Sequence, residues 1–208
     1  MQILIFGASG KTGRELVSQG LEKEHTVTAF VRYPAKLKIQ HQNLKVHQGN
    51  VADYQSVYDA VKNQDAVLSA LGTSKPLRKD PAFVKGIQNI VDAMKKQNVR
   101  RIIYESYMGV RENREELGIT TRIMAFIVKN EVEEHEINEA GIQKSNLEWT
   151  IVRAPLLTKG RFTGKYRDGE RILPKSPFAA ISRADVADFM LRELEERRYV
   201  WRKPRVMH

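Results

Sequence analysis

Three glycines spaced G-x-x-G-x-x-G (Gly7, Gly10 and Gly13) follow directly on the uncharged apolar run Ile3–Phe6, and a helix-like pattern continues through Arg14, Glu15, Leu16 and Val17. Residues of these types at this spacing suit the binding of a diphosphate. Gly7 permits a tight turn out of a strand, Gly10 lets backbone approach the phosphates, and Gly13 lets the helix pack closely on the strand. The unpaired N–H groups and positive dipole end of that helix then face the anion. Gly10-Lys11-Thr12 also resembles the end of a P-loop, whose glycines are separated by four intervening residues; that would need glycine at position 5, which is Ile5. A dinucleotide fits the spacing better than a nucleoside triphosphate.

A dinucleotide site that prefers NAD carries an acid at the end of the second strand, on the ribose 2′-OH. Here that strand reads Thr26–Val31 and is followed by Arg32, with no acid at its end. Arg32 is placed to meet a 2′-phosphate through a charge-assisted contact, and Lys11 and Lys36 add positive charge nearby. NADPH is therefore expected in preference to NADH, which stays possible.

The groups that would move a proton are less conventional. A Tyr-x-x-x-Lys pair, in which the lysine lowers the tyrosine pKa, occurs twice, as Tyr58/Lys62 and Tyr199/Lys203. The first falls on a helix before the fourth strand and the second near the chain's end, so neither reaches a nicotinamide placed by the glycine turn. Glu131 and His135 stand at i, i+4, but no third ligand accompanies them, so no metal site is expected.

The elements that must position these groups alternate along the chain. Strands are expected at Ile3–Phe6, Thr26–Val31, Leu44–His47, Ala66–Leu71, from Arg101 to Tyr104, and at Trp149–Val152. Helices are expected after Asp53 (an N-cap), from Pro81 through Met94, from Thr121 to Lys144, and from Arg183 to Glu195. This pattern predicts an α/β fold, a Rossmann-like doubly wound parallel sheet with right-handed crossovers. The segment from 154 to 208 starts rich in Pro, Gly and Lys, with a turn signal at Asp168-Gly169, and is expected to form a small substrate-side lobe on one domain spanning 1–208. The charged stretch 111–118 is expected as a loop over the same sheet edge.

The totals agree with a globular protein. With 208 residues, 41% of them hydrophobic, there is ample material for one core and none for a large second domain. There is no cysteine, which excludes disulfides and thiolate chemistry. No apolar run approaches the ~20 residues of a membrane span. Met1 runs straight into the first strand, leaving no room for a signal peptide, and a cytoplasmic location is expected. The net charge of +10 suits anionic ligands, but no zinc finger or RNA-recognition motif accompanies it, so nucleic acid is not the expected partner.

Several segments together carry a resemblance: Gly7-Ala8-Ser9-Gly10-Lys11-Thr12-Gly13, Val31-Arg32, Gly49-Asn50-Val51, Asp65-Ala66-Val67, Leu71-Gly72-Thr73, Leu147–Arg153 and Ile181–Ala187. Through them the chain resembles the atypical short-chain dehydrogenases with NmrA-like sequences, above all the flavin reductase/biliverdin-IXβ reductase group. The resemblance implies that Gly7, Ser9, Gly10, Lys11, Thr12 and Gly13 cradle the cofactor. It implies further that Asn50 and Val51 bracket the adenine, that Leu71, Gly72 and Thr73 run along ribose and pyrophosphate, and that Ala154, Pro155 and Leu156 close over the nicotinamide. Ser106 and Tyr107 fall where the family commonly has two hydroxyl residues in a row, and the tyrosine is a departure from that pattern. His135 matches a place from which the helix before the Leu147–Trp149 strand supplies a polar group in related reductases; a satisfied core histidine is the competing reading. Asp185 is expected to anchor the last helix.

What remains is hydride transfer from nicotinamide to a planar, electron-poor acceptor such as a flavin, a quinone or a linear tetrapyrrole, with Ser106, Tyr107 and His135 at the site. Such acceptors react chiefly through alignment and stacking. The alternative is a non-catalytic NADP(H)-binding redox sensor of the NmrA-like type. A small-molecule partner, no membrane, and a monomer or weak homo-oligomer complete the expectation.

Overall fold

The computed structural model describes residues 1–73, 77–110, 112, 119–175 and 179–208, with backbone alone for 119–121. β1 (Gln2–Phe6) lies inside the sheet, and Ile3, Leu4, Ile5 and Phe6 are fully buried, as an apolar run covered on both faces must be. The chain turns into α1 (Lys11–Glu22), returns through β2 (Thr26–Val31), and reaches the sheet's edge at β3 (Leu44–Gln48). α2 (Tyr54–Val61) then carries it back across to β4 (Ala66–Ser69), which pairs with the other side of β1. α3 (Pro81–Lys96), β5 (Arg101–Tyr107), α4 (Ile119–Ile127), α5 (Lys129–Gln143) and β6 (Glu148–Ala154) continue outward. Asp53 caps α2 by accepting the Gln55 N–H at 3.0 Å, and Pro81 opens α3.

After β6 come β7 (Leu156–Thr158), β8 (Arg167–Gly169), β9 (Ala180–Ser182), α6 (Arg183–Glu196) and β10 (Arg205–Met207). The eight-stranded sheet has the order β3-β2-β1-β4-β5-β6-β10-β8, and β7 pairs with β9 in a separate two-stranded sheet. Every pairing is parallel except that of β8 with β10. The doubly wound architecture is thus as expected, with an antiparallel strand at one edge. One layer of core packs Leu16, Val17, Phe189 and Met190 of α1 and α6 on the sheet. The other packs Val57, Ile87, Ile90 and Ile142 of α2, α3 and α5 on the opposite face. The strand order reverses between β1 and β4, and the ends of these two strands open a crevice there.

Several boundaries differ from the sequence reading. The helix expected from Thr121 to Lys144 is two, meeting at Val128 with φ −100° and ψ 32°. The hydrogen-bond ladder crosses the junction (Val128 N–H to Met124 O, 3.0 Å; Val132 N–H to Val128 O, 3.1 Å), so the junction is a kink. β4 stops at Ser69, two residues early, while β5 runs on through Tyr107. Asp168 and Gly169 belong to β8, where Asp168 accepts from Arg192, Arg198 and Tyr199, and the turn comes immediately after. Most of the charged stretch 111–118 lies outside the described residues.

Candidate active site

The glycine turn has the tightness that its spacing requires. Gly7 sits at φ +77°, a conformation open to glycine, and a Cβ there would overlap the Ala70 carbonyl. The Gly10 N–H donates to Gly7 O at 2.8 Å, and a Cβ on Gly13 would overlap that same oxygen. α1 therefore starts hard against the end of β1. Its N-cap, Gly10, carries no side chain to satisfy the first amides, and no acid stands in the first turn. A helix start of this kind favours an anion.

Two cavities meet at this point, and Ala70, Leu71 and Gly72 border both. The smaller, about 230 Å³, is lined by Gly7, Ser9, Gly10, Arg32, Asn50 and Val51 with Phe30, Asp80, Ala82 and Phe83. Its floor is firm: Asn89 Nδ2 donates to Val51 O at 2.8 Å, and a Cβ on Gly86 would fall 2.7 Å from Val51 Cγ2. The Asn50 side-chain oxygen accepts from the Ala52 N–H at 3.1 Å, fixing the loop as an Asx turn. Arg32 is exposed at its rim.

The larger cavity, about 460 Å³, is lined by Lys11, Thr12, Thr73, Ser106, Tyr107, His135, Pro155 and Leu156, all expected at the site from sequence, by Glu131, Arg183 and Val128, which had no role there in the sequence reading, and by Glu105, Met124 and Leu157, which it did not single out. Gly13 and Lys36 line neither cavity. Gly13 serves packing, and the Lys36 ammonium lies 4.9 Å over the Tyr33 ring while its carbonyl accepts from Arg14. Tyr58 packs against the core under α2 and α3, Tyr199 donates to Asp168 at 2.7 Å, and Lys203 pairs with Glu112, so both Tyr-x-x-x-Lys pairs stand away from the crevice.

Side chains alternate along β5, so Tyr104 and Ser106 face α5 while Glu105 faces α1. Burial holds the Tyr104 hydroxyl far above its usual pKa, so it stays protonated. Asn138 Nδ2 donates to that oxygen at 3.3 Å, and the hydroxyl donates to His135 Nδ1 at 2.7 Å. The network assigns the imidazole proton to Nε2. Burial pushes His135 down to about 4, so the ring is neutral. It is at once a satisfied core histidine and a wall of the cavity, with Phe83 edge-on at 5.3 Å.

The Ser106 hydroxyl donates to Glu139 Oε1 at 2.6 Å, and Arg153 grips both oxygens of Glu139 at 3.2 and 2.5 Å. Arg153 also pairs with Glu112 at 2.6 Å. The serine proton is therefore committed to a buried carboxylate, and its oxygen faces the site only as an acceptor. Tyr107 is half-buried with its ring laid against Gly109, where any Cβ would overlap it.

Glu105 is the residue that the sequence reading missed. It is 8% exposed, accepts from Thr12 Oγ1 at 3.1 Å, and lies across the cavity from Arg183. Burial raises it to about 7, opposed by the Thr12 hydrogen bond and the Arg183 charge. The Arg183 guanidinium is itself fixed by donating to Thr158 O at 2.8 Å. The available signal was a lone acid inside the buried run Ile102-Ile103-Tyr104-Glu105. Asp185 keeps the anchoring role expected of it. It accepts from Thr163 and Gly164 N–H at 2.9 Å and is held down to about 2 by these and by Ser182 and His208, against burial.

A family profile described as NAD(P)H-binding matches residues 7–197. Photosystem II assembly factor Ycf39 of Synechocystis sp. is 23% identical over 208 residues, covering 94% of this chain, while the chain spans only 59% of that relative's length. Among solved structures, the anaerobillin reductase ChuY of Escherichia coli O157:H7 superposes with a TM-score of 0.82 at 20% identity, over 99% of this chain and 96% of that one. A short-chain dehydrogenase/reductase of Veillonella parvula, solved in complex with NADP, superposes with a TM-score of 0.79 at 21% identity, over 100% and 94%. At these identities the two structures share the fold. Among the described residues no helix is long and apolar enough to cross a membrane.

Proposed function

The chain belongs to the NAD(P)H-binding family, and from that premise we propose that it is an NADPH-dependent reductase of planar, electron-poor acceptors of the flavin or quinone kind. The observation that carries the reading is the pair of cavities joined at the start of α1, one ending at Arg32 and the other at Tyr107 and His135. The residues fit the cofactor: a Cβ would fill the cradle at Gly7 and Gly13, and the capless helix start favours a diphosphate. Lys11 and the first amides of α1 hold that diphosphate, Arg32 takes the 2′-phosphate, and Asn50 and Val51 bracket the adenine. The bound nicotinamide supplies a hydride at its C4.

This chain's part is alignment. Tyr107 offers a fixed aromatic face, and Met124, Val128, Leu156 and Leu157 give the mouth apolar walls. Ser106 and His135 are immobilised by Glu139 and Tyr104, which keeps the polar wall rigid. Carbonyl activation by a serine hydroxyl is disfavoured, because that proton already belongs to Glu139. The same commitment supports a second reading, in which the chain binds NADP(H) and reports redox state without turning over.

Following NADPH absorbance with FMN, riboflavin or the quinone menadione separates the two. Acceptor-dependent oxidation that falls in Tyr107→Ala is the expected result. Tight NADPH binding with no acceptor consumed would move the assignment to the sensor.

A further inference from the structure

Passing a hydride to a two-electron acceptor leaves the balance one proton short. The C4–H bond of the nicotinamide breaks with its electron pair, the acceptor takes that hydride into a new bond, and a separate proton must reach the acceptor's heteroatom to give the reduced, neutral product. Ser106 on the cavity wall, and Tyr104 behind it, cannot give that proton up. Ser106 donates to Glu139, and Tyr104 donates to His135 Nδ1. His135 is neutral, and releasing its remaining proton would create an imidazolate.

Glu105 differs. Thr12 donates to its Oε1, so the acid form carries its proton on Oε2. The described residues that line its cavity come from several elements, α4 among them with the apolar Met124. α1 brings Lys11 and Thr12, α5 brings Glu131 and His135, α6 brings Arg183, and β5 itself adds Tyr107. The segments after β4 (Ala70 to Thr73) and β6 (Pro155 to Leu157) bring no charge. Arg183 is the cation whose field acts on the carboxylate, and it compensates the charge that proton release leaves behind.

We propose that Glu105 is the proton donor of this reduction: its buried carboxylic acid, held by Thr12 and compensated by Arg183, delivers to the acceptor the proton that accompanies the hydride. The assignment rests on the reductase reading above. Burial is what keeps the acid form present near neutral pH. Glu131, the other acid of the cavity, is also raised by burial and by the Glu134 charge, but no cation among the described residues acts on it to compensate proton release, and Glu131→Gln is therefore the control.

The test is the pH profile of kcat/KM for menadione and for FMN at saturating NADPH. The wild type is expected to lose activity as pH rises through about 7. Glu105→Gln, which keeps the shape and can still accept from Thr12, should lower kcat/KM about 10²-fold at about pH 6 and abolish that decline. NADPH binding, read by protein fluorescence, should persist. Thr12→Val removes a bond that lowers the Glu105 pKa and should move the decline to higher pH. The proposal is overturned if Glu105→Gln keeps the decline, or if Glu131→Gln removes it instead. A wild type that oxidises no NADPH with either acceptor overturns the reductase reading together with this one; turnover with an unaltered Glu105→Gln profile removes this one alone.

Discussion

Two buried groups on opposite sides of β5 should pull the protein's stability in opposite directions as pH changes. His135 is held down to about 4 from an ordinary 6.5, and Glu105 is held up to about 7 from an ordinary 4.5. A histidine kept neutral by burial contributes stability that is whole above 6.5 and is lost as pH falls through about 4. A carboxyl kept protonated contributes stability that is whole below 4.5 and is lost as pH rises through about 7. At about 1.4 kcal/mol per pKa unit, each gap is worth about 3 kcal/mol. In the wild type the two slopes largely cancel between about pH 4.5 and 6.5. Urea unfolding at a series of pH values should expose them in single variants. The stability of Glu105→Gln minus that of the wild type should rise by about 3 kcal/mol from pH 4.5 to 7. For His135→Gln the same difference should fall by about 3 kcal/mol from pH 4 to 6.5. Difference curves that stay flat, or share one sign, would refute the burial argument on which both assignments depend.

Arg32→Ala should weaken NADPH binding by about 10-fold or more while sparing NADH, since one charge-assisted contact is worth about 1.5–3 kcal/mol; equal weakening of both, by fluorescence titration, would remove the 2′-phosphate contact. Gly13→Ala should unseat α1, because the added Cβ overlaps the Gly7 carbonyl. The expected result is lost NADPH binding with a lowered unfolding midpoint, and a variant that binds normally would contradict the packing described for the turn.

The parts of the fold legible in the sequence are those fixed by neighbours along the chain. The glycine turn, the limits of β2, the Asp53 cap and the Pro81 start each depend on residues within a few positions, and each stands where the pattern put it. The two cavities were legible to the same degree, because most of their lining comes from strand ends and the turns after them. What escaped depends on partners distant in sequence. Thr12 and Glu105 are 93 residues apart, and Ser106 and Glu139 are 33 apart, so neither bond has a local pattern. The kink at Val128 keeps its hydrogen bonds on both sides, which leaves no capping residue or glycine to announce it. β10 joins the sheet beside β6 with Arg205 buried, a pairing between segments about 50 residues apart that no local pattern announces.

The pleat of β5 divides the polar groups of the crevice between two layers. Successive side chains of a strand face opposite layers, so Tyr104 and Ser106 meet the polar side chains of α5 and Glu105 meets the start of α1. On the α5 side the network next to β5 has its hydroxyl protons committed: Tyr104 gives to His135, Ser106 gives to Glu139, and Arg153 neutralises the carboxylate. A fully satisfied network of this kind is rigid, which suits a wall that aligns an acceptor and disqualifies it as a proton source. On the α1 side a single carboxyl has one hydroxyl donor and one distant cation, too little to keep it ionised once it is out of water. The acid at the edge of that helix start is therefore held toward its neutral form, and it lies in the same cavity as Tyr107. Had the strand begun one residue later, every side chain would have changed layers, and the acid would have faced Glu139 instead of Thr12.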